Sequence, residues 1–230
     1  MSCPTSASCY YVITAVRHLR EISRAYAPCP ASARMRVLGR YVLCPFASLL
    51  GVFPPTGRIL DIGCGDGLLL LLLSLEDDSR ARGYVGIDVD EHKIANARRA
   101  RIANTDFRIQ DVSMVPAETF DCVSIIDVLY LLPISRWDDF LRQSMRALRR
   151  DGLLIVKEVT NTPCWKYWIG YLEELLAIKL IRMTHGDTPH LESIDTYQAS
   201  LETAGADVIN VRRVDAGRPV AHVLFVAKKP

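Results

Sequence analysis

The chain has 230 residues, 50% of them hydrophobic and 23% charged, with a formal net charge of +2. That length fits one large domain with a substantial core, and a charge so close to zero excludes a dedicated nucleic-acid binder working through a strongly basic surface. The charge is nevertheless uneven, because Arg17, Arg20, Arg24, Arg34, Arg36 and Arg40 stand against Glu21 alone before residue 51. Such a face is either solvated or suited to an anionic membrane or an acidic substrate. Seven cysteines (Cys3, Cys9, Cys29, Cys44, Cys64, Cys122 and Cys164) are odd in number and show no Cys-x-x-Cys spacing. They suggest neither a disulfide framework nor a zinc site or other metal, and they point to a reducing, cytoplasmic setting. The longest apolar run, Gly67 to Leu73, is far below the ~18–20 residues of a membrane span. No basic segment followed by an apolar one marks a signal peptide.

In chain order, apolar residues at three- and four-residue steps (Ile13, Val16, Leu19, Ile22, Tyr26) predict an amphipathic helix over 10–26, ended by Pro28 and Pro30. A second helix is expected over 33–44 and a short helical turn over 46–50, so residues 1–52 read as a helical N-terminal cap. Pro54-Pro55-Thr56-Gly57 leads into a buried strand, Ile59 to Ile62, since parallel strands covered on both faces are continuously apolar. Gly63, Gly65 and Gly67 then alternate before a helix that starts at Leu68. Glycines let the backbone turn sharply and approach a ligand closely, and the helix N-terminus beyond them offers free N–H groups and a positive dipole end. A dinucleotide-binding loop would place its third glycine at position 68; here that position is Leu68, and Gly67 comes one residue early.

Further strands are expected at 83–88, ending in Asp88, at 107–110, followed by Asp111, at 120–126, followed by Asp127, and at 153–156. Helices are expected at 91–103 and from Ser135 through Arg149, with Arg149 to Gly152 closing the second. Strands alternating with helices and ending in acids make a doubly wound, mostly parallel α/β sheet. Asp88 follows the glycine loop at the distance at which an acid holds ribose hydroxyls, and a carboxylate can accept both hydrogen bonds of a cis-diol. Ser193 is expected to cap a helix through Ala204, followed by an antiparallel hairpin of strands 207–214 and 220–227 around Gly217-Arg218-Pro219.

The stretch Asp61-Ile62-Gly63-Cys64-Gly65-Asp66-Gly67, with the acids downstream, resembles the class I S-adenosylmethionine (SAM)-dependent methyltransferases, most closely the broad ubiquinone- and menaquinone-type group. The resemblance covers residues 57–160 and continues to the end. It implies a seven-stranded Rossmann-like sheet with an antiparallel C-terminal hairpin, a SAM-binding core over 53–160, and a C-terminal helix and hairpin over 193–230. It also implies that Asp61, Gly63, Gly65 and Gly67 line the methionine end of SAM, that Asp88 holds the ribose, and that Asp111 and Val112 meet the adenine. Ile126 and Asp127 would face the methionine and the methyl group. There is no Asn/Asp-Pro-Pro-Tyr after the fourth strand, which disfavours nucleic-acid amino methylases, and no Asp-Asn pair after the fifth, which disfavours the magnesium-dependent catechol type.

Residues 161–192 read as an inserted substrate or lid segment, with an apolar, aromatic helix over 165–183. Together with 10–26 it would cover a small apolar or aromatic acceptor, lipid or polyketide-like, methylated at oxygen or carbon. An imidazole titrates near neutrality, so His185 and His190, with Tyr130 and Glu158, are the candidate bases for an oxygen acceptor. The basic N-terminal face, with Lys166, Lys179 and Arg182, would allow transient docking on an anionic membrane. Two rival readings are a non-catalytic SAM-binding subunit supporting a partner enzyme, and an aminopropyl transferase, which the apolar 165–183 segment disfavours.

Overall fold

The computed structural model describes residues 6–77, 81–161, 190–215 and 220–230. Among them are seven strands: β1 (Gly57–Ile62), β2 (Arg82–Asp88), β3 (Thr105–Ile109), β4 (Phe120–Ile126), β5 (Leu148–Val159), β6 (Asp207–Arg213) and β7 (His222–Lys228). They form one sheet in the order β3-β2-β1-β4-β5-β7-β6. β1 pairs in parallel with both β2 and β4, so the chain reverses its direction of travel across the sheet there. Crevices at such switch points, beyond the carboxyl ends of the strands, are where open α/β sheets bind ligands. β7 is antiparallel to both β5 and β6 and lies between them.

Successive strand residues feed two separate cores, as the two-residue period of a strand requires. Ile59, Tyr84, Cys122, Ile126, Ile155, Leu224 and Val226 join one cluster; Leu60, Val85, Val123, Leu154, Val223 and Phe225 join the other. The first core is covered by α1 (Ser6–Ala25), α2 (Ala31–Leu43), α3 (Phe46–Leu50), α4 (Leu68–Leu75) and α5 (Glu91–Arg99). α4 is buried from Leu68 through Leu73, as befits a helix apolar on every side. The second core is covered by α6 (Trp137–Ala147) and α7 (Ile194–Thr203), where Trp137 stacks on Tyr197 with ring centroids 4.9 Å apart.

Several boundaries differ from the sequence expectation, each for a local reason. α5 stops at Arg99, because Arg101 and Asn104 adopt left-handed φ angles of 50° and 53°. α6 starts at Trp137, not Ser135; a 3-10 turn over Ile134–Arg136 precedes it. β5 already begins at Leu148. Arg149 to Asp151, expected to close the helix, are instead part of the strand, where its pairing with β4 shifts register and Asp151 takes a φ of 61°. Ser193 does cap α7, its Oγ accepting the Thr196 N–H at 3.1 Å. The apolar helix expected over 165–183, His185 and Gly217 to Pro219 lie outside the described residues.

Candidate functional site

The site begins where β1 runs out. Gly63 and Cys64 donate their N–H groups to the Ile87 carbonyl at 2.8 and 3.0 Å, and Gly67 donates to Cys64 at 2.9 Å. This tight turn needs left-handed backbone at Gly63, Gly65 and Gly67, with φ of 72°, 56° and 85°. At Gly67 space forbids a side chain as well: a Cβ would stand 2.7 Å from the Phe107 ring and 3.2 Å from Ala97. Gly65 is open, since a Cβ there would meet only Lys93, at 3.9 Å. The loop is held by Asp88, whose carboxylate accepts Gly65 N–H at 2.8 Å and Asp90 N–H at 2.9 Å. Asp90 in turn caps α5 through the His92 and Lys93 N–H groups.

A cleft of about 140 Å³ lies against this loop. Of the residues singled out from the sequence, Asp61, Gly63, Gly65, Ile126, Asp127 and Tyr130 line it. Gly67, Asp88, Asp111, Val112 and His190 do not. Asp111 caps the 3-10 turn Val112–Met114, accepting from Ser113 N–H at 2.9 Å, and Val112 is buried. His190 is tethered by its backbone, donating to the Tyr130 carbonyl at 2.7 Å. Glu158 belongs elsewhere: one carboxylate oxygen accepts the Val128 and Leu129 N–H groups at 3.1 and 2.9 Å. Burial, then the nearby Asp127, raises its pKa to about 8.

Among the described residues the cap reaches the cleft through α2 and α3: Arg36, Val37, Arg40, Leu43 and Phe46 line it. Two of the six N-terminal arginines thereby turn inward. Arg36 grips Asp66 with two hydrogen bonds of 2.8 and 3.1 Å, a geometry arginine suits and lysine does not. Asn96 adds a third at 3.0 Å. Arg40 donates to the Ile126 carbonyl at 2.9 Å and faces Asp127 at 3.4 Å. Asp127, at a left-handed φ of 60°, also takes the Lys157 ammonium at 2.5 Å, and that lysine is fully buried. Burial alone would raise the Asp127 pKa, but Lys157 and Arg40 outweigh it and hold it below the ordinary value. Asp61 accepts the Ser124 hydroxyl at 2.7 Å, and burial raises its pKa to about 7. Of the remaining N-terminal arginines, Arg17 bonds the Leu75 carbonyl and Arg24 pairs with Glu21, which leaves less of a basic face for a membrane.

The sequence reading missed Arg36, Arg40, Asp66, Lys157 and His222. The cluster of arginines was visible, but not its inward turn. Lys157 and His222 had a fainter signal, since Lys157-Glu158 and His222 are polar positions in strand segments that are otherwise apolar.

The loop offers a backbone approach at Gly65, and two carboxylates, Asp61 and Asp127, face the same cleft. That donor set fits the sulfonium and ammonium groups of SAM. With a strand, glycine turn and helix on a 3-2-1-4-5-7-6 sheet, these features define a SAM-binding domain of the class I methyltransferase type. A family profile described as a methyltransferase domain matches residues 35–211, and the chain belongs to that family of SAM-dependent methyltransferases. The chain is 29% identical, over 157 residues, to the 27-O-demethylrifamycin SV methyltransferase of Amycolatopsis mediterranei; the match covers 65% of this chain and 54% of that protein. A highly reducing polyketide synthase of Aspergillus fumigatus is 27% identical over 192 residues, 79% of this chain but 8% of the synthase. The chain thus spans about half of the first of these curated relatives and a small part of the second. Among solved structures, a SAM-dependent methyltransferase of Methanosarcina mazei superimposes with a TM-score of 0.62 at 18% identity, covering 79% of this chain and 96% of that one.

Proposed function

We propose that the protein transfers the methyl group of SAM to a small apolar or aromatic acceptor, at oxygen or carbon. One observation carries this reading: the cleft against the glycine loop combines a few charged groups with a largely apolar lining. Asp61 and Asp127 line it beside Gly63 and Gly65, and Val37, Leu43, Phe46, Val159, Leu191 and Val220 supply apolar lining. Apolar pockets with few placed polar groups are the usual form of small-molecule sites. The rifamycin relative, whose name specifies a demethylated small molecule, supports the same acceptor class.

When bound, SAM supplies an electrophilic methyl group on a sulfonium. The chain's own residues bind, orient and exclude water, which is most of what a direct displacement requires. The glycine loop and the Asp61 and Asp127 carboxylates hold the methionine end, and Asp88 holds the ribose while fixing the loop through Gly65. Asp111 and Val112 receive the adenine. The apolar lining from α2, α3 and β5, with Leu191 and Val220, keeps water from the acceptor.

The test is to incubate the protein with methyl-labelled SAM and a whole-cell extract, then partition the label. Label in small molecules extracted into organic solvent, each heavier by one CH2 group, is the expected result. Label confined to protein or nucleic acid would overturn the acceptor class. SAM binding with no label transferred would favour a non-catalytic subunit.

A further inference from the structure

His222 opens β7 and pairs in register with Val159 of β5, two steps beyond the Lys157–Leu224 pair. Its ring lines the same cleft as the glycine loop, yet it is 4% exposed and neither ring nitrogen has a hydrogen-bond partner. Buried polar side chains are nearly always satisfied, and an orphan in a native structure calls for a ligand or a role. Here the orphan belongs to a cleft lining that includes Leu43, Val159, Leu191 and Val220, whose side chains are apolar and offer no hydrogen bond.

We propose that His222 is the hydrogen-bonding residue of the acceptor subsite, and that it receives a neutral hydroxyl group on an otherwise apolar molecule. The proposal rests on the methyltransferase reading above and narrows it toward oxygen acceptors. The surroundings of the ring decide what kind of group it takes. Burial comes first and the Lys157 ammonium second in lowering its pKa, to about 3, against the opposing pull of Asp127, the Leu43 backbone and Asp215. The imidazole is therefore neutral at physiological pH, with one N–H to donate and one lone pair to accept. A neutral ring gives no charge to a carboxylate, and among the described residues the cations lining the cleft, Arg36, Arg40 and Lys93, already face Asp66, Asp127 and Asp90.

The experiment measures affinities of three probes of one shape, 2-naphthol, naphthalene and 2-naphthoate, for the full chain saturated with S-adenosylhomocysteine. In the wild type 2-naphthol should bind about tenfold tighter than naphthalene, the ratio one neutral hydrogen bond supplies, and 2-naphthoate should gain no such advantage. His222→Leu should abolish the advantage of the hydroxyl, and His222→Gln, which can still donate and accept, should retain much of it. S-adenosylhomocysteine affinity should be unchanged in both variants, which also verifies that they fold. A hydroxyl advantage that survives in His222→Leu, or no advantage in the wild type, overturns the proposal while leaving the cofactor site intact. Failure of the wild type to bind S-adenosylhomocysteine would instead bring down the methyltransferase reading, and this proposal with it.

Discussion

Asp61 is a carboxylate that the fold holds close to neutrality. Its pKa is raised from 3.8 to about 7, chiefly by burial, with Asp88 adding to the rise and Ser124 and Arg40 opposing it. A raised folded-state value means that the folded chain keeps the proton more tightly than the unfolded one. The stability this contributes is complete below pH 3.8 and is lost as the pH rises through about 7. A cationic cofactor in the cleft has the opposite preference, because it favours the ionised carboxylate. SAM affinity should therefore climb as the pH rises through about 7, with proton release on binding that is largest below that pH. Calorimetry in buffers of differing ionisation enthalpy reads both quantities; an affinity flat with pH and no proton release would show that Asp61 does not face the cofactor's charge. Asp61 and the glycines were legible because the motif is local, seven consecutive residues with a fixed chemical reason for each glycine. Arg40 was not, since its partner Asp127 lies 87 positions away and only the folded chain brings them together.

α2 and α3 line the cleft and carry the cap over α4. Leu49 of α3 is fully buried in that cluster, whereas Met35 of α2 is 62% exposed. Leu49→Ala should cost roughly 2–5 kcal/mol of folding free energy, the usual range for a leucine truncated in a core that cannot collapse. Met35→Ala should stay within about 0.5 kcal/mol, as surface changes do. Urea melts of both variants check the pair; equal, small losses would mean that the cap packs loosely and does not wall the cleft. At this scale periodicity read the elements well, since α4 and β4 have the bounds their apolar runs predict. It misplaced the start of α6 and β5, because Pro133 sets a 3-10 turn and Asp151 a register shift, and neither is written in hydrophobic period. Among the described residues the cap's share of the cleft lining comes from α2 and α3 and not from 14–26, which periodicity does not foretell. An amphipathic stripe shows that a helix packs, not what it packs against.

Across the whole molecule one arrangement brings the site together. The sheet reverses between β1 and β4, the glycine loop and Asp88 sit at the carboxyl ends of β1 and β2, and the cap closes an apolar wall beside them. Everything claimed about the acceptor presupposes that the loop holds SAM. The most direct test is equilibrium binding of SAM and NAD to the wild type and to Asp88→Ala, with folding followed by circular dichroism. The wild type should bind SAM and ignore NAD, and a folded Asp88→Ala should lose roughly 1.5–3 kcal/mol of SAM binding, the range for hydrogen bonds to a charged group. NAD binding without a SAM response, or unchanged SAM affinity in the folded variant, would contradict the account.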